Sequence, residues 1–197
     1  NMYYPLNDLE AINLQDEQWN SIITDQFTYM GKNYAFNRYE PTLGQMVFFN
    51  KTLLKNAGVT EDIYDLQKNG TWTLDKMLEM AKKATKKSND GKSDTWGIVE
   101  DEYSFLRHLI VANGVDFIKE VDGNYSFGLD DPKALDAMTT YQKLYTVDKI
   151  LLPQQEMSDR AYGKNLFVEG KPAFIISYPR LPDVLEMMTD DFGAVLF

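Results

Sequence analysis

An α/β layer fold, with a mixed, mostly parallel sheet flanked by helices, is the architecture that this 197-residue sequence predicts. Three observations carry it. Short apolar stretches of strand length recur along the chain at Met46–Phe49, Trp96–Val99 and Ala173–Ile176. Leu74, Met77, Leu78, Ala81 and Ala84 follow helical spacing and mark a strong amphipathic helix. Caps and stops fall between the two kinds of segment, at Asn50, Gly58, Thr73, Asp131 and Gly170. Strands that alternate with helices bury a sheet under helical layers, and ligands of such folds bind beyond the strand ends.

Taken in order, Asn1–Phe27 is polar with scattered apolar residues. Pro5, Asn7 and Asp8 predict a turn before a short helical piece around Leu9, and Trp19, Ile22 and Ile23 have partly helical spacing. Gly31–Gly58 holds two strand candidates, Tyr34–Phe36 and Met46–Phe49, separated by a polar connector that contains Pro41. A helix follows from Lys51 to Ala57. Asn50 caps it by accepting an orphan N–H, and Gly58 stops it in the left-handed conformation. Thr60–Gly70 reads as a connecting segment with a helical turn, and Thr73 caps the amphipathic helix. Lys82, Lys83, Lys86 and Lys87 crowd the end of that helix, where the dipole favours cations; a solvated helix end accounts for them more simply than an anion site.

Ser88–Ser93 is a turn. It fails as a calcium loop, because placing Gly91 at the sixth position puts Lys86 and Gly97 at the first and last ligand positions. The Trp96–Val99 strand ends at Glu100-Asp101-Glu102, and Ser104 caps a helix that turns Phe105, Leu106, Leu109 and Ile110 inward and stops at Asn113-Gly114. Asp122-Gly123-Asn124 predicts a tight hairpin between Phe117–Val121 and Tyr125–Phe127. Asp131 caps the next helix with Pro132 at its first position, and Leu135, Met138, Gln142 and Tyr145 mark one face. Further helices are expected over Ser158–Glu169 and Pro179–Met188, the latter with Leu181, Val184, Leu185 and Met188 inward. Pro172–Ser177 and Phe192–Phe197 are the remaining strands.

Composition excludes several functions. The net charge of −10 opposes binding to phosphate backbones and to anionic lipid, so no nucleic-acid partner is expected. The absence of cysteine removes disulfides, thiolate nucleophiles and Cys-type zinc sites. His108 is the only histidine and cannot build a zinc site, so neither metal nor cofactor is expected. Glu100-Asp101-Glu102, Asp130-Asp131 and Asp190-Asp191 could be mustered as a glycosidase pair. Neighbouring residues of a strand point to opposite faces, however, and Asp131 is already explained as a cap, so no catalytic residue is assigned.

The strand-end rule nominates three places: the connector Arg38–Gln45, the loop Glu100–Phe105 and the segment Ser177–Arg180. Aromatic Tyr39, Tyr103, Phe105 and Tyr178 fall in them, beside Arg38, Glu40, Gln45, Glu102, Ser177 and Arg180. A sugar presents a flat C–H face, which a ring covers, and a rim of hydroxyls, which polar side chains bond. These ten residues are the candidate ligand-binding set.

Three fragments in order carry a resemblance: Gly31-Lys32-Asn33-Tyr34-Ala35, the run Phe49-Asn50-Lys51 to Ala57-Gly58, and Thr71-Trp72-Thr73-Leu74-Asp75-Lys76-Met77. Phe167 to Tyr178 adds a helix–strand unit of the form F-x-x-G-K-x-A. Together they resemble the extracellular solute-binding proteins of ABC importers, and more narrowly the sugar-binding family that includes maltose-binding protein. The resemblance implies a type II periplasmic-binding-protein-like lobe. Residues 1–33 would be the tail of lobe one and the crossover, and 34–197 the second lobe, with hinge strands near Tyr34–Arg38 and Val195–Phe197. It implies capture of an oligosaccharide between two lobes, delivery to the membrane subunits of an ABC permease, and a place at the extracellular face of a bacterial membrane, lipid-anchored, or in the periplasm. The first lobe of the same chain would be the missing partner. In that family the second lobe contributes a Glu and a Tyr after this strand, matching Glu102 and the Tyr103–Phe105 segment by position. Arg180 stands where a Gly-Pro-Trp context places an aromatic, which implies a more polar ligand, such as a saccharide containing uronic acid. Trp72 and Trp96 match packing positions. The rival readings are a glycoside hydrolase or lyase fragment, which needs two convergent carboxylates, and a ligand-sensing domain of the same fold.

Overall fold

The computed structural model describes residues 3–38, 44–89, 94–100, 104–152, 162–178 and 185–196. The chain divides into two compact units, Asn1–Thr42 with Glu120–Asn124, and Leu43–Lys119 with Tyr125–Phe197.

In the first unit a 3-10 turn at Leu6–Asp8 precedes helix α1 (Ser21–Gln26) and the antiparallel pair β1 (Thr28–Tyr29) and β2 (Lys32–Asn33). Asn20 caps α1 by accepting the Ile23 N–H. Met30 and Gly31 both have positive φ and form the turn that sets the hairpin register. That register places Lys32–Asn33 opposite Thr28–Tyr29, so Tyr34–Phe36 falls outside the ladder and is not the strand expected from its composition. Trp19 stands against Phe36 at 4.4 Å between ring centroids and donates its Nε1–H to the Asn13 carbonyl. Among the described residues of this unit, the buried ones are polar: Thr24 and Asn33, the latter donating from Nδ2 to the Thr24 carbonyl.

The second unit follows the predicted alternation. Its elements are β3 (Met46–Asn50), α2 (Lys51–Asn56), α3 (Ile63–Lys68), α4 (Leu74–Ala84), β4 (Trp96–Glu100), α5 (Ser104–Ala112), β5 (Ile118–Val121), β6 (Asn124–Phe127), α6 (Pro132–Thr146), α7 (Tyr162–Val168), β7 (Pro172–Ser177) and β8 (Phe192–Val195), with Glu120–Asn124 of the β5–β6 hairpin counted in the first unit. The sheet order is β4-β7-β3-β8. β4 runs parallel to β7, and β3 runs antiparallel to both β7 and β8, so the sheet is mixed. All six residues of β7 are buried, as a strand covered on both faces requires. Phe49, Ile98, Phe174 and Ile176 pack with Met77, Ala81 and Ile110 of the helices, while Phe48, Val99 and Ile175 pack with Leu166, Phe167 and Leu185.

The caps expected at Asn50, Thr73 and Asp131 are present. Asn50 accepts from Leu53 N, Thr73 from Lys76 N and Asp131 from Lys133 N. Asp122 and Gly123, both at positive φ, turn the β5–β6 hairpin. Gly97 is required by packing, since a Cβ there would lie 2.7 Å from the Ala81 carbonyl oxygen. Trp72 and Trp96 are buried, as expected.

Three details differ from the sequence expectation. Thr60–Gly70 contains a capped helix, α3, because Asp62 accepts the N–H groups of Tyr64 and Asp65. On α6 the buried face is Ala134, Ala137 and Leu144, with Met138, Tyr141 and Tyr145 beside it, and Leu135 is exposed; small alanines let α5 approach, which size-weighted patterning does not reveal. The helix before Gly170 is described from Tyr162, and residues 153–161 and 179–184 lie outside the described residues, which leaves most of the Pro179–Met188 expectation there. The α4 lysines behave as a solvated face: Lys82 pairs with Asp148 and Lys83 with Glu79, while Lys87 pairs with Asp94 and lies over the Trp96 ring.

Candidate functional site

Strand register decides what meets what. Met46 pairs with Ser177, Glu100 with Ile176, and Val47 with Val195. The start of β3 therefore lies beside the ends of β7, β4 and β8. Three segments nominated from sequence converge at this one edge of the sheet: Gln45 enters β3, Glu100 ends β4, and Ser177-Tyr178 leaves β7. The convergence follows from β3 running against its neighbours, which brings a strand's first residue to the edge where parallel β4 and β7 end.

Residues at this edge differ in what they offer. Tyr178 is 56% exposed, so its ring is free to cover a flat apolar surface. Gln45 is half-buried. Ser177 is 1% exposed, and its Oγ has no hydrogen-bond partner among the described residues. A buried hydroxyl without a partner carries a desolvation cost of about 1–3 kcal/mol, which makes it a position that a ligand or water would satisfy. Met46 and Leu196 flank the edge as well. The sequence reading did not choose them, because only the strand order brings them there.

Phe105 is a correction. It is 1% exposed and packs into the core with Leu109 and Ile110 on one face of α5, so its ring holds the helix to the sheet and offers no surface to a ligand. Arg38 is exposed and forms an antiparallel bridge with Trp19 within the first unit. Tyr39, Glu40, Glu102, Tyr103 and Arg180 lie outside the described residues.

Of the carboxylates weighed for catalysis, Asp131, Asp190 and Asp191 have structural partners. Asp131 is held below the usual carboxylate range, first by the Lys133 N–H at the helix cap and then by Lys119. Asp190 accepts from Asn50 Nδ2, and Asp191 pairs with Lys51. Asp101 lies with Glu102 outside the described residues. His108 is exposed on α5. Among the described residues no group of three metal-ligating side chains comes together, and no helix is long and apolar enough to cross a membrane.

Residues 14–183 match the family described as bacterial extracellular solute-binding protein. The chain belongs to that family. No curated protein sequence matches it. Solved structures do. An ABC substrate-binding protein from Listeria monocytogenes in complex with cycloalternan is similar with a TM-score of 0.68 and 21% identity, over 98% of this chain and 46% of that one. An ABC transporter solute-binding protein from Thermotoga lettingae bound with α-D-tagatose gives 0.65 and 15%, over 98% and 48%. A Thermus thermophilus maltotriose-binding protein bound with maltotriose gives 0.60 and 18%, over 99% and 47%. At these identities the likeness establishes the fold, that of a type II periplasmic-binding-protein lobe. The chain spans less than half the length of these structures. Its family is one of substrate binding rather than catalysis.

Proposed function

We propose that the chain supplies one lobe of a two-lobed carbohydrate-capturing protein that delivers its ligand to an ABC permease on the outer face of a bacterial membrane. The observation that carries this is the convergence of Gln45, Glu100 and Ser177-Tyr178 at one sheet edge, in a chain of the solute-binding family. An exposed ring next to a buried, unpartnered hydroxyl suits a sugar, which has an apolar face and a polar rim. Residues 34–197 form the second lobe in this account, and residues 1–33 belong with the first. The segments Tyr34–Arg38 and Val195–Phe197 are the hinge in this reading, about which the lobes close on the ligand. Tyr39, Glu40, Glu102, Tyr103 and Arg180 are further candidates for ligand contact in this reading, with Arg180 favouring an acidic saccharide.

Calorimetric titration tests this on a version of the chain extended at its amino terminus to the length of its structural relatives. The panel is maltotriose, tagatose and an oligogalacturonide, each against wild type and Tyr178→Ala. The expected result is saturable binding of one saccharide, weakened by about tenfold in Tyr178→Ala, which is the loss of about 1.4 kcal/mol of ring contact. Equal affinity in the variant would remove Tyr178 from the site. Cleavage of the saccharide would replace capture by hydrolysis.

A further inference from the structure

The two sides of the four-stranded sheet are finished differently. On the β4 side the outward main chain is occupied: Ile98 N–H donates to the Ile150 carbonyl at 2.9 Å, and the Ile98 carbonyl accepts the Leu152 N–H at 3.1 Å. On the β8 side, parity decides which groups are left over. Lys51 N–H donates to the Asp191 carbonyl at 2.8 Å, and residue pairs of an antiparallel ladder alternate between bonded and non-bonded. Counting on from that bond, Phe49 with Gly193 and Val47 with Val195 are the bonded pairs. Phe192 and Ala194, opposite Asn50 and Phe48, therefore aim their N–H and C=O away from β3, and Leu196 continues the alternation. Among the described residues none of these outward groups has a main-chain partner; the Leu196 carbonyl accepts from Gln67 Nε2 of α3 at 3.4 Å. Exposure follows the same parity. Gly193 and Val195 are buried, Phe192 and Ala194 are half-buried, and Leu196 is 45% exposed.

Open strand sides are ordinarily blunted by charge, proline or a bulge. Phe192-Gly193-Ala194-Val195-Leu196-Phe197 carries neither charge nor proline, and its register against β3 is unbroken. The run is also complementary to itself. An antiparallel register centred on Ala194 sets Phe192 of one copy opposite Leu196 of another, so each outward N–H meets an outward C=O. A carbonyl oxygen has two lone pairs, so Gln67 can stay on Leu196. Charge selects the same register. In a chain of net charge −10, registers slid toward the start of β8 bring the Asp190-Asp191 pairs of both copies together, whereas this one sets Asp191 opposite Phe197.

We propose that the open side of β8 is an interaction surface for a second copy of this chain, the two β8 strands pairing antiparallel about Ala194. The two-fold axis stands normal to the sheet, so like faces continue across the junction and the strand order becomes β4-β7-β3-β8 followed by its reverse. The inference rests on the strand ladder alone and not on the sugar-binding reading.

The test joins sedimentation equilibrium with amide hydrogen exchange, both on the 197-residue chain over a range of concentrations. A monomer–dimer equilibrium is expected between about 10 μM and 1 mM, since a few main-chain bonds must offset the entropy of association. At low concentration the Gly193 and Val195 amides should be protected and those of Phe192 and Ala194 should exchange freely; at high concentration the latter two should become protected as well. Leu196→Pro removes an outward N–H from both copies without touching the β3 ladder, and should weaken dimerisation by about tenfold at an unchanged unfolding midpoint. Four outcomes would overturn the proposal: a monomer up to about 1 mM, a dimer whose Phe192 and Ala194 amides still exchange freely, protection of those amides that is independent of concentration, or a dimer indifferent to Leu196→Pro. The second would place the interface elsewhere, and the third would mean that the side is covered within one chain. Saccharide binding is not a readout, so failure here is distinct from failure of capture.

Discussion

Removing the Asn50 side chain should cut two bonds with one substitution. Asn50 is fully buried; Oδ1 accepts the Leu53 N–H at 2.8 Å and Nδ2 donates to Asp190 Oδ2 at 2.7 Å. The first bond caps α2, a helix of six residues that cannot hold itself together without help. The second ties the start of α2 to the segment entering β8, where Lys51 N and Thr52 N also donate to the Asp191 carbonyl. Loss of a cap costs about 1 kcal/mol. Loss of a hydrogen bond to a charged group costs about 1.5–3 kcal/mol, reduced where water can reach the half-buried Asp190. Asn50→Ala should therefore lose about 2–4 kcal/mol, read as a lower urea midpoint at unchanged slope. Asn50→Asp separates the two bonds. It keeps the cap acceptor but sets a second carboxylate against Asp190. Two carboxylates that share a site raise the pKa of one of them in the folded state. A raised folded pKa means stability that is present at low pH and lost as pH rises through the shifted value. The Asn50→Asp deficit should therefore be largest near neutral pH and shrink below about pH 4, and Asp190→Asn in the same chain should restore much of it. An Asn50→Ala midpoint equal to wild type, or an Asn50→Asp deficit that ignores pH, would refute this account of the α2–β8 junction.

Gly193→Ala should destabilise by about 1–3 kcal/mol, because the added methyl would collide with the Phe49 ring and lie 2.5 Å from the Tyr64 hydroxyl; thermal unfolding reads it, and an unchanged midpoint would mean that these rings move freely. Ser177→Ala should leave stability unchanged or raise it by up to about 1 kcal/mol, since the hydroxyl has no partner among the described residues, while saccharide affinity falls; a clear loss of stability would show that the hydroxyl is bonded within the protein. Asp94 is held below its ordinary pKa, first by the Ser88 N–H and then by Lys87. Its contribution is complete above the ordinary aspartate value of about 3.9 and is lost as pH falls through the depressed folded value, so Asp94→Asn should show a shallower acid loss of stability than wild type.

Most of the second unit was legible because local rules and tertiary demands agree there. Asn50, Thr73 and Asp131 are strong caps, Gly58 and Gly170 take positive φ where the chain must turn back, and β7 is apolar throughout because both of its faces are covered. The errors have physical causes. Tyr34–Phe36 has strand composition, but the turn at Met30-Gly31 fixes a register that excludes it. The α6 face was misjudged because Ala134 and Ala137 contribute close approach rather than bulk. The strand-end rule named segments that do meet at one edge, yet it also took in Phe105, which helical spacing had already turned inward and whose ring lies in the core, whereas the Tyr178 ring is exposed. Where loop position and helix phase disagreed, helix phase was the better guide.

The measurement that bears most directly on the account is thermal unfolding against a saccharide panel, run on this chain and on the version extended at its amino terminus. A ligand that binds only the native state stabilises by about 2.7 kcal/mol at a hundred times its Kd. The account predicts a shift of that size in the extended protein with one saccharide class, and little or none in the 197-residue chain, whose edge at Gln45, Ser177 and Tyr178 would supply only half of the contacts. An equal shift in both would contradict capture between two lobes. No shift in either, across the whole panel, would contradict carbohydrate as the ligand.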